Sequence, residues 1–153
     1  MLEAIARVFA ELHFHYTEQF LTALLPMTFT VICHGTGMNL VRSYFKRFGS
    51  SASLRSMRRT ILLVVIVAIM LATHYFEITI WALFYFATDM IQNFKAAMYF
   101  SVESYTTLGA SNITLPGRWQ GLEGFEALTA MLMFGWSTAM LVAVVHKVHS
   151  IDN

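Results

Sequence analysis

Three long apolar stretches, separated by shorter polar segments, dominate the chain of 153 residues. They lie at about residues 20–41, 60–87 and 122–145, and each reaches the ~20 apolar residues that an α-helix needs to cross a bilayer. The pattern therefore predicts an all-α membrane protein with three transmembrane helices.

Two shorter apolar patterns accompany the predicted spans. Apolar residues recur at helical spacing in residues 2–18, which predicts an amphipathic interfacial helix; they are Leu2, Ile5, Val8, Phe9 and Leu12. Residues 95–108 read KAAMYFSVESYTTL, a helix-like apolar run that is too short to span, and a polar turn follows it. Non-helical backbone at membrane depth is tolerated only where protein or water satisfies it, so we expect a re-entrant helix and loop.

These elements predict three parts along the chain. Residues 1–19 form an N-terminal interfacial segment. Residues 20–59 form an extra transmembrane helix followed by a basic cytoplasmic loop. Residues 60–153 form a pore module, in which a re-entrant helix and its loop lie between two transmembrane helices.

The composition supports a bilayer as the solvent. The chain is 57% hydrophobic and 12% charged, which is about half the charged fraction of a typical soluble domain. Its net charge of +1 gives no reason to expect a nucleic-acid partner. Its one cysteine, Cys33, excludes an intrachain disulfide and a cysteine-rich zinc site.

Basic residues are concentrated between the first two predicted spans. Residues 42–59 contain no acid and six of the ten Lys and Arg residues; the six are Arg42, Lys46, Arg47, Arg55, Arg58 and Arg59. By the positive-inside rule this loop is cytoplasmic, which places the N-terminus outside and the C-terminus in the cytoplasm. We expect a multi-pass protein of the bacterial inner membrane. A lipid- or nucleic-acid-binding patch is the less common explanation.

Residues 99–112, YFSVESYTTLGASN, resemble the pore helix and selectivity filter of tetrameric potassium channels, whose usual form ends in TTVGYGD. Thr107, Leu108 and Gly109 take the places of the filter Thr, Val and Gly, Thr106 precedes them as in the family, and Glu103 matches the pore-helix acid of some members. The resemblance implies a homotetramer in the lipid bilayer, with permeant monovalent cations and no other cofactor.

The whole chain is also similar to a group of small bacterial channel-family proteins with one extra N-terminal helix. They share the patterns HGxG, HxxE and FGWSTAxL, which appear here at His34–Gly37, His74–Glu77 and Phe134–Leu141.

The outer half of the filter departs from the family pattern. Rings of backbone carbonyls replace the hydration shell of a cation, and pointing successive carbonyls one way requires alternating backbone handedness, which favours recurring glycine. Ser111 stands in place of the second glycine, Ala110 in place of an aromatic residue and Asn112 in place of an acid. We expect two intact inner oxygen rings, from Thr107 and Leu108, and a weakly selective or non-selective cation pore. A non-conducting scaffold or interaction protein is the alternative.

Polar residues inside the predicted spans are candidates for function, because they are costly in lipid. His74 and Glu77 are three residues apart and share a helix face. Because HxxE supplies only two of the usual three or four metal ligands, the preferred interpretation is a hydrogen-bonded clamp that includes His34. A membrane metal site at His34, His74 and Glu77 is the alternative. Gly135 is a candidate bend in the third span. The sequence contains no motif for a catalytic nucleophile in contact with water, so we do not expect an enzyme.

Overall fold

The structure, a computed structural model, describes residues 1–49 and 56–149, with side chains for residues 1, 14–49 and 57–148. The described ranges contain no β-strand. The elements are α1 (Leu2–Phe48), α2 (Ser56–Ala87), α3 (Phe94–Tyr105), a 3₁₀ helix (Gly117–Trp119) and α4 (Leu122–His149).

Three of these helices are long and apolar enough to cross a membrane. The candidate spans are Phe14–Phe48, Met57–Ala87 and Gly117–Val148. Large apolar side chains stay exposed along them, including Ile32 at 57%, Val64 at 61% and Leu132 at 61%. The prediction of an all-α fold with three helices that could cross a membrane is confirmed for the described residues.

The first helix is longer than the apolar pattern predicts. α1 runs without interruption through residue 19, where we placed the boundary between an interfacial segment and the first span. No glycine or proline precedes Pro26 in this helix, so nothing in the local sequence ends it there. The Thr22 hydroxyl donates a hydrogen bond of 2.8 Å to the Glu18 carbonyl across the boundary.

The basic segment between the first two spans is also partly helical. α1 continues to Phe48, with Lys46 and Arg47 in its last turn, and α2 begins at Ser56. Basic side chains interact favourably with the partial negative charge at a helix C-terminus, which helps α1 to extend beyond its apolar stretch. Residues 50–55, which include Arg55, lie outside the described residues.

The chain divides into two compact units, and α1, α2 and α4 each contribute residues to both. The first unit comprises Met1–Phe29 and Ile78–Ala130. Its core contains the buried Trp81, Tyr85, Phe100 and Leu122. Asn93 starts α3 there, because its side-chain oxygen accepts a hydrogen bond of 3.2 Å from the backbone N–H of Ala96.

The second unit comprises the described residues of 30–77 and of α4 from Met131 onward. Its apolar core includes Met38, Ile66 and Val144. Gly37 allows α1 to approach α2 closely, because a Cβ atom on it would lie 2.6 Å from Cγ2 and 3.0 Å from Cβ of Thr73. A small residue within the HGxG pattern thus lies where two helices approach closely, as small residues do between membrane helices.

Candidate functional site

The loop that follows α3 begins with a helix C-cap in which threonine occupies the usual position of glycine. The N–H of Leu108 donates to the Glu103 carbonyl at 2.9 Å, and the N–H of Thr107 donates to the Ser104 carbonyl at 3.1 Å. These two bonds define a Schellman motif, which places its C′ residue, here Thr107, in the left-handed region. Glycine usually occupies that position, and a β-branched residue there is a conformational outlier.

Left-handed backbone recurs two residues later and then stops. Thr107 has φ 59° and Gly109 has φ 61°, while Ser111 is not among the described non-glycine residues with positive φ, which are Asp89 and Thr107. Left-handed backbone is therefore present at Thr107 and Gly109 and does not continue at Ser111.

The loop itself is exposed on the single chain. All five residues from Thr106 to Ala110 are exposed, as is Asn112, and Ser111 is half-buried. Leu108 has 69% of its surface exposed, and a Cβ atom on Gly109 would meet no atom within 4 Å. Backbone hydrogen bonds nevertheless reach the segment: the Gly109 N–H donates to the Glu103 carbonyl at 3.4 Å, and the Ile113 N–H donates to the Ser111 hydroxyl at 3.1 Å.

Glu103 is a buried residue in the last turn of α3. Only 4% of its surface is exposed, and its Oε2 has no hydrogen-bond partner among the described residues. The nearby Tyr99 phenol is itself exposed, and its interaction with the Glu103 carboxylate raises the pKa of Tyr99. Asn112 makes no hydrogen bond with Oε2 of Glu103, and this oxygen has no partner within the described part of the chain.

A buried carboxylate that the sequence analysis did not single out holds α3 in place. Glu126 of α4 accepts a hydrogen bond of 2.8 Å from the Tyr85 hydroxyl and lies 2.5 Å from the Ser101 hydroxyl of α3. The Ser101 oxygen also lies 2.9 Å from the Ile78 carbonyl of α2. An acid inside an apolar span is a signal of function or of internal pairing, and this signal was available from the sequence.

A second polar site in the other unit brings together the three predicted intramembrane residues and one more. His34 Nδ1 lies 2.8 Å from Glu77 Oε1, and His74 Nδ1 lies 3.2 Å from Glu77 Oε2. The Ser137 hydroxyl lies 3.1 Å from His74 Nε2 and 3.5 Å from His34 Nε2. The four side chains thus form a closed hydrogen-bonded circuit, which we call the polar ring.

The polar ring joins three helices and is enclosed by aromatic residues. His34 belongs to α1, His74 and Glu77 to α2, and Ser137 to α4. The rings of Trp136 and His34 have centroids 5.1 Å apart, and those of Phe134 and His74 are 4.8 Å apart. Ser137 was not predicted, although it lies within the FGWSTAxL pattern, because a serine in a helix often bonds only to its own backbone.

The same three residues have the composition of a metal site. Ligand atoms of His34, His74 and Glu77 lie within 4.8 Å of one another. Each of these three side chains also makes a hydrogen bond within the polar ring.

Gly135 lies next to this site in α4. The helix continues through it from Leu122 to His149, and a Cβ atom there would meet no atom within 4 Å. A bend at Gly135 stays a prediction.

The comparisons with known proteins do not assign this chain to a family. A scan against protein-family models, a search of the curated proteins and a search of the solved structures each found no match. The resemblance to potassium channels therefore depends on the motif residues alone.

Proposed function

We propose that this protein is the pore-forming subunit of a homotetrameric cation channel that discriminates weakly among monovalent cations. The observation that carries the proposal is the left-handed backbone at Thr107 and again at Gly109, in an exposed loop between two candidate spans. Strained backbone at a residue other than glycine is a reasonable starting point for a functional hypothesis.

The order of elements supports a pore loop. α3 has 12 residues, which corresponds to a length of about 18 Å at 1.5 Å per residue, and the hydrocarbon core is about 30 Å thick. A helix of this length enters the membrane without crossing it. In our proposal α3 is the pore helix and the segment from Thr106 to Asn112 lines the conduction axis.

The need for four subunits follows from the chemistry of a dehydrated cation. One chain offers one carbonyl at each level, whereas a filter surrounds the ion with a ring of oxygens. An exposed loop with an exposed Leu108 suits a segment whose neighbours come from other copies of the chain. The exposed apolar side chains of the candidate spans supply surface for both lipid and subunit contacts.

The position of α3 also suits this role. The Ser101–Glu126 and Tyr85–Glu126 contacts fix α3 to the helices that flank it in sequence. The Glu103 Oε2 atom has no partner among the described residues, and in our proposal it accepts a hydrogen bond from the filter backbone or from a neighbouring subunit. We therefore assign Glu103 the role of supporting the filter.

The weak selectivity in our proposal follows from the outer half of the loop. Left-handed backbone ends before Ser111, and Ala110 lacks the ring that braces this part of the filter in the family. We expect dehydrating oxygen rings at Thr107 and Leu108, with wider and hydrated sites beyond them. The proposed location is the bacterial inner membrane, with the N-terminus outside and the C-terminus in the cytoplasm.

A liposome flux assay tests the proposal with a matched pair of glycine variants. Gly109→Ala adds a methyl group to an open position that has φ 61°, whereas Gly117→Ala adds one to an open position without positive φ. We expect wild type and Gly117→Ala to conduct potassium and sodium, and Gly109→Ala to lose most of its flux while it still assembles.

Two outcomes would contradict the channel proposal. Tetramers without flux in wild type would favour the non-conducting scaffold. Equal flux through Gly109→Ala and Gly117→Ala would show that the left-handed backbone at 109 is not part of the conduction path.

A further inference from the structure

The buried contacts around Glu126 require more hydrogens than their hydroxyl groups carry. The Ser101 oxygen lies 2.5 Å from Glu126 Oε1 and 2.9 Å from the Ile78 carbonyl oxygen, and the Tyr85 oxygen lies 2.8 Å from Glu126 Oε2. All three distances are those of O–H···O hydrogen bonds. Each bond requires one hydrogen, so the site requires three.

An ionised Glu126 leaves this site one hydrogen short. Serine and tyrosine hydroxyls carry one hydrogen each, whereas a carboxylate and a peptide carbonyl carry none. The Ser101 hydrogen can serve Glu126 or the Ile78 carbonyl, and the remaining contact then joins two oxygens with no hydrogen between them. The Tyr85 hydroxyl contacts only Oε2 and cannot fill this gap. Of the four groups only the carboxyl can take up a further proton, and the contacts place that proton on Oε1.

The surroundings of Glu126 offer no countercharge. The residue is fully buried, and burial disfavours the charged form of a carboxyl. The basic side chains described in this unit belong to His15, Lys95 and Arg118, and all three are exposed. The other titratable side chains described there can carry no positive charge; they are Tyr16, Glu18, Tyr85, Asp89, Tyr99, Glu103, Tyr105 and Glu123.

We infer that Glu126 is a neutral carboxylic acid at neutral pH and that it positions α3 through Ser101. Its Oε1–H donates to the Ser101 oxygen, the Ser101 hydroxyl donates to the Ile78 carbonyl, and the Tyr85 hydroxyl donates to Oε2. Three hydrogens then serve three bonds, and no charge is buried. The same proton thus joins α4 to α3, and Ser101 joins α3 to α2.

This anchor lies close in sequence to the residue that holds the loop after α3. The Glu103 carbonyl, two residues after Ser101, accepts hydrogen bonds from the N–H groups of Leu108 at 2.9 Å and Gly109 at 3.4 Å. A shift of α3 at Ser101 therefore moves the acceptor of both loop amides. Glu126 is a positioning residue for the loop. Only the consequence for ion conduction rests on the proposed function.

Three substitutions separate the proton from the charge. Glu126→Gln has no charge and keeps the donor and the acceptor of the neutral acid, because its NH₂ group donates to Ser101 and its amide oxygen accepts from Tyr85. Ser101→Ala removes two of the three bonds. Glu123→Gln is the matched control, since it removes an exposed carboxyl from the same helix.

Infrared difference spectroscopy of the protein in lipid nanodiscs at neutral pH reads the proton of Glu126. The difference between wild type and Glu126→Gln should contain the C=O band of a protonated carboxyl, and the difference between wild type and Glu123→Gln should lack it. In Ser101→Ala this band should move to higher frequency, because the carboxyl O–H loses its acceptor. Carboxylate bands in the Glu126→Gln difference would overturn the inference.

Hydrogen exchange of the loop amides tests the positioning role. The Leu108 amide should lose protection in Ser101→Ala and keep the wild-type protection in Glu126→Gln and Glu123→Gln. Unchanged protection in Ser101→Ala would show that this anchor does not position the loop. If Glu126→Gln loses protection or fails to assemble, the site needs a carboxylate and the inference is wrong.

Tyr85→Phe provides a milder test than Ser101→Ala, because it removes one bond instead of two. We expect it to move the carboxyl band to higher frequency and to leave α3 attached through Ser101. An unchanged band would overturn the assignment of Oε2 as the acceptor of the Tyr85 hydroxyl. None of these measurements uses ion flux, so their failure is distinct from failure of the channel proposal.

Discussion

His34 Nδ1 of α1 and Glu77 Oε1 of α2 lie 2.8 Å apart, and both side chains are fully buried. Because the contact lies inside candidate spans, neither group can exchange its partner for water. We expect Glu77→Ala to lower the free energy of unfolding by roughly 3–5 kcal/mol, the usual cost of removing one partner from a buried pair. Glu77→Gln should retain most of the stability and the oligomeric state, because an amide still forms hydrogen bonds.

Thermal unfolding in detergent, followed by size-exclusion chromatography, measures both effects. Metal analysis of the same samples separates the hydrogen-bonded clamp from the metal site. Stoichiometric zinc or iron in wild type that disappears in Glu77→Gln would establish the metal site and refute the clamp.

The contact between Gly37 and Thr73 gives a steric prediction with an internal control. A Cβ atom on Gly37 would lie 3.0 Å from the Thr73 Cβ, whereas a Cβ atom on Gly35 would meet only the Trp136 ring, at 3.9 Å. Gly37→Ala should destabilise the protein by about 1–3 kcal/mol through overpacking. Gly35→Ala should change stability much less, and equal unfolding midpoints for the two variants would refute the close approach of α1 and α2 at residue 37.

The apolar pattern predicts the helices better than it predicts their ends. Hydrophobicity locates the three spans because the bilayer requires about 20 apolar residues in each. It does not predict that α1 continues through residue 19 and through residues 42–48. Polar and basic residues there extend the helix, because no helix-breaking residue stops it at those positions. Helix ends depend on capping and breaking residues, which the boundary at residue 19 lacks.

At the candidate sites, too, the sequence pattern selected residues but did not predict which side chains contact one another. The HxxE spacing and the cost of a charge in lipid were enough to select His74 and Glu77. The contact of His74 with Ser137 required knowledge of how α4 packs in the second unit, which spacing along one helix cannot give. Glu126 could have been selected by the argument that selected Glu77, because it too is an acid inside a predicted span.

The distribution of basic residues predicts which side each loop faces. Single cysteines at Ser53 and Ser150, both outside the described residues, and at the exposed Thr114 can be tested in a background without Cys33. A membrane-impermeant thiol reagent added from the periplasmic side should label the cysteine at 114 and leave those at 53 and 150 unlabelled until the membrane is permeabilised. Labelling of position 53 or 150 from outside would show that the topology is inverted.

The last prediction concerns selectivity, which depends in our proposal on Ala110, Ser111 and Asn112. Discrimination between potassium and sodium requires several successive rings of carbonyl oxygens that replace the hydration shell. Because left-handed backbone ends before Ser111, we expect ions to stay partly hydrated through the outer half of the filter. A hydrated ion presents similar chemistry whether it is potassium or sodium, and each ~1.4 kcal/mol of lost discrimination corresponds to about a tenfold fall in preference.

Reversal potentials under bi-ionic potassium and sodium conditions in planar bilayers measure this preference. Wild type should reverse near 0 mV, and the triple variant Ala110→Tyr, Ser111→Gly, Asn112→Asp should shift toward the potassium equilibrium value, because it restores the second glycine, the bracing ring and the outer acid. Ser111→Gly alone serves as the control, since it restores backbone freedom without the bracing side chain, and it should shift less. A wild-type reversal already at the potassium value would show that two inner rings suffice. Absence of current in wild type and in Leu108→Ala, which widens the inner filter, would support the non-conducting scaffold.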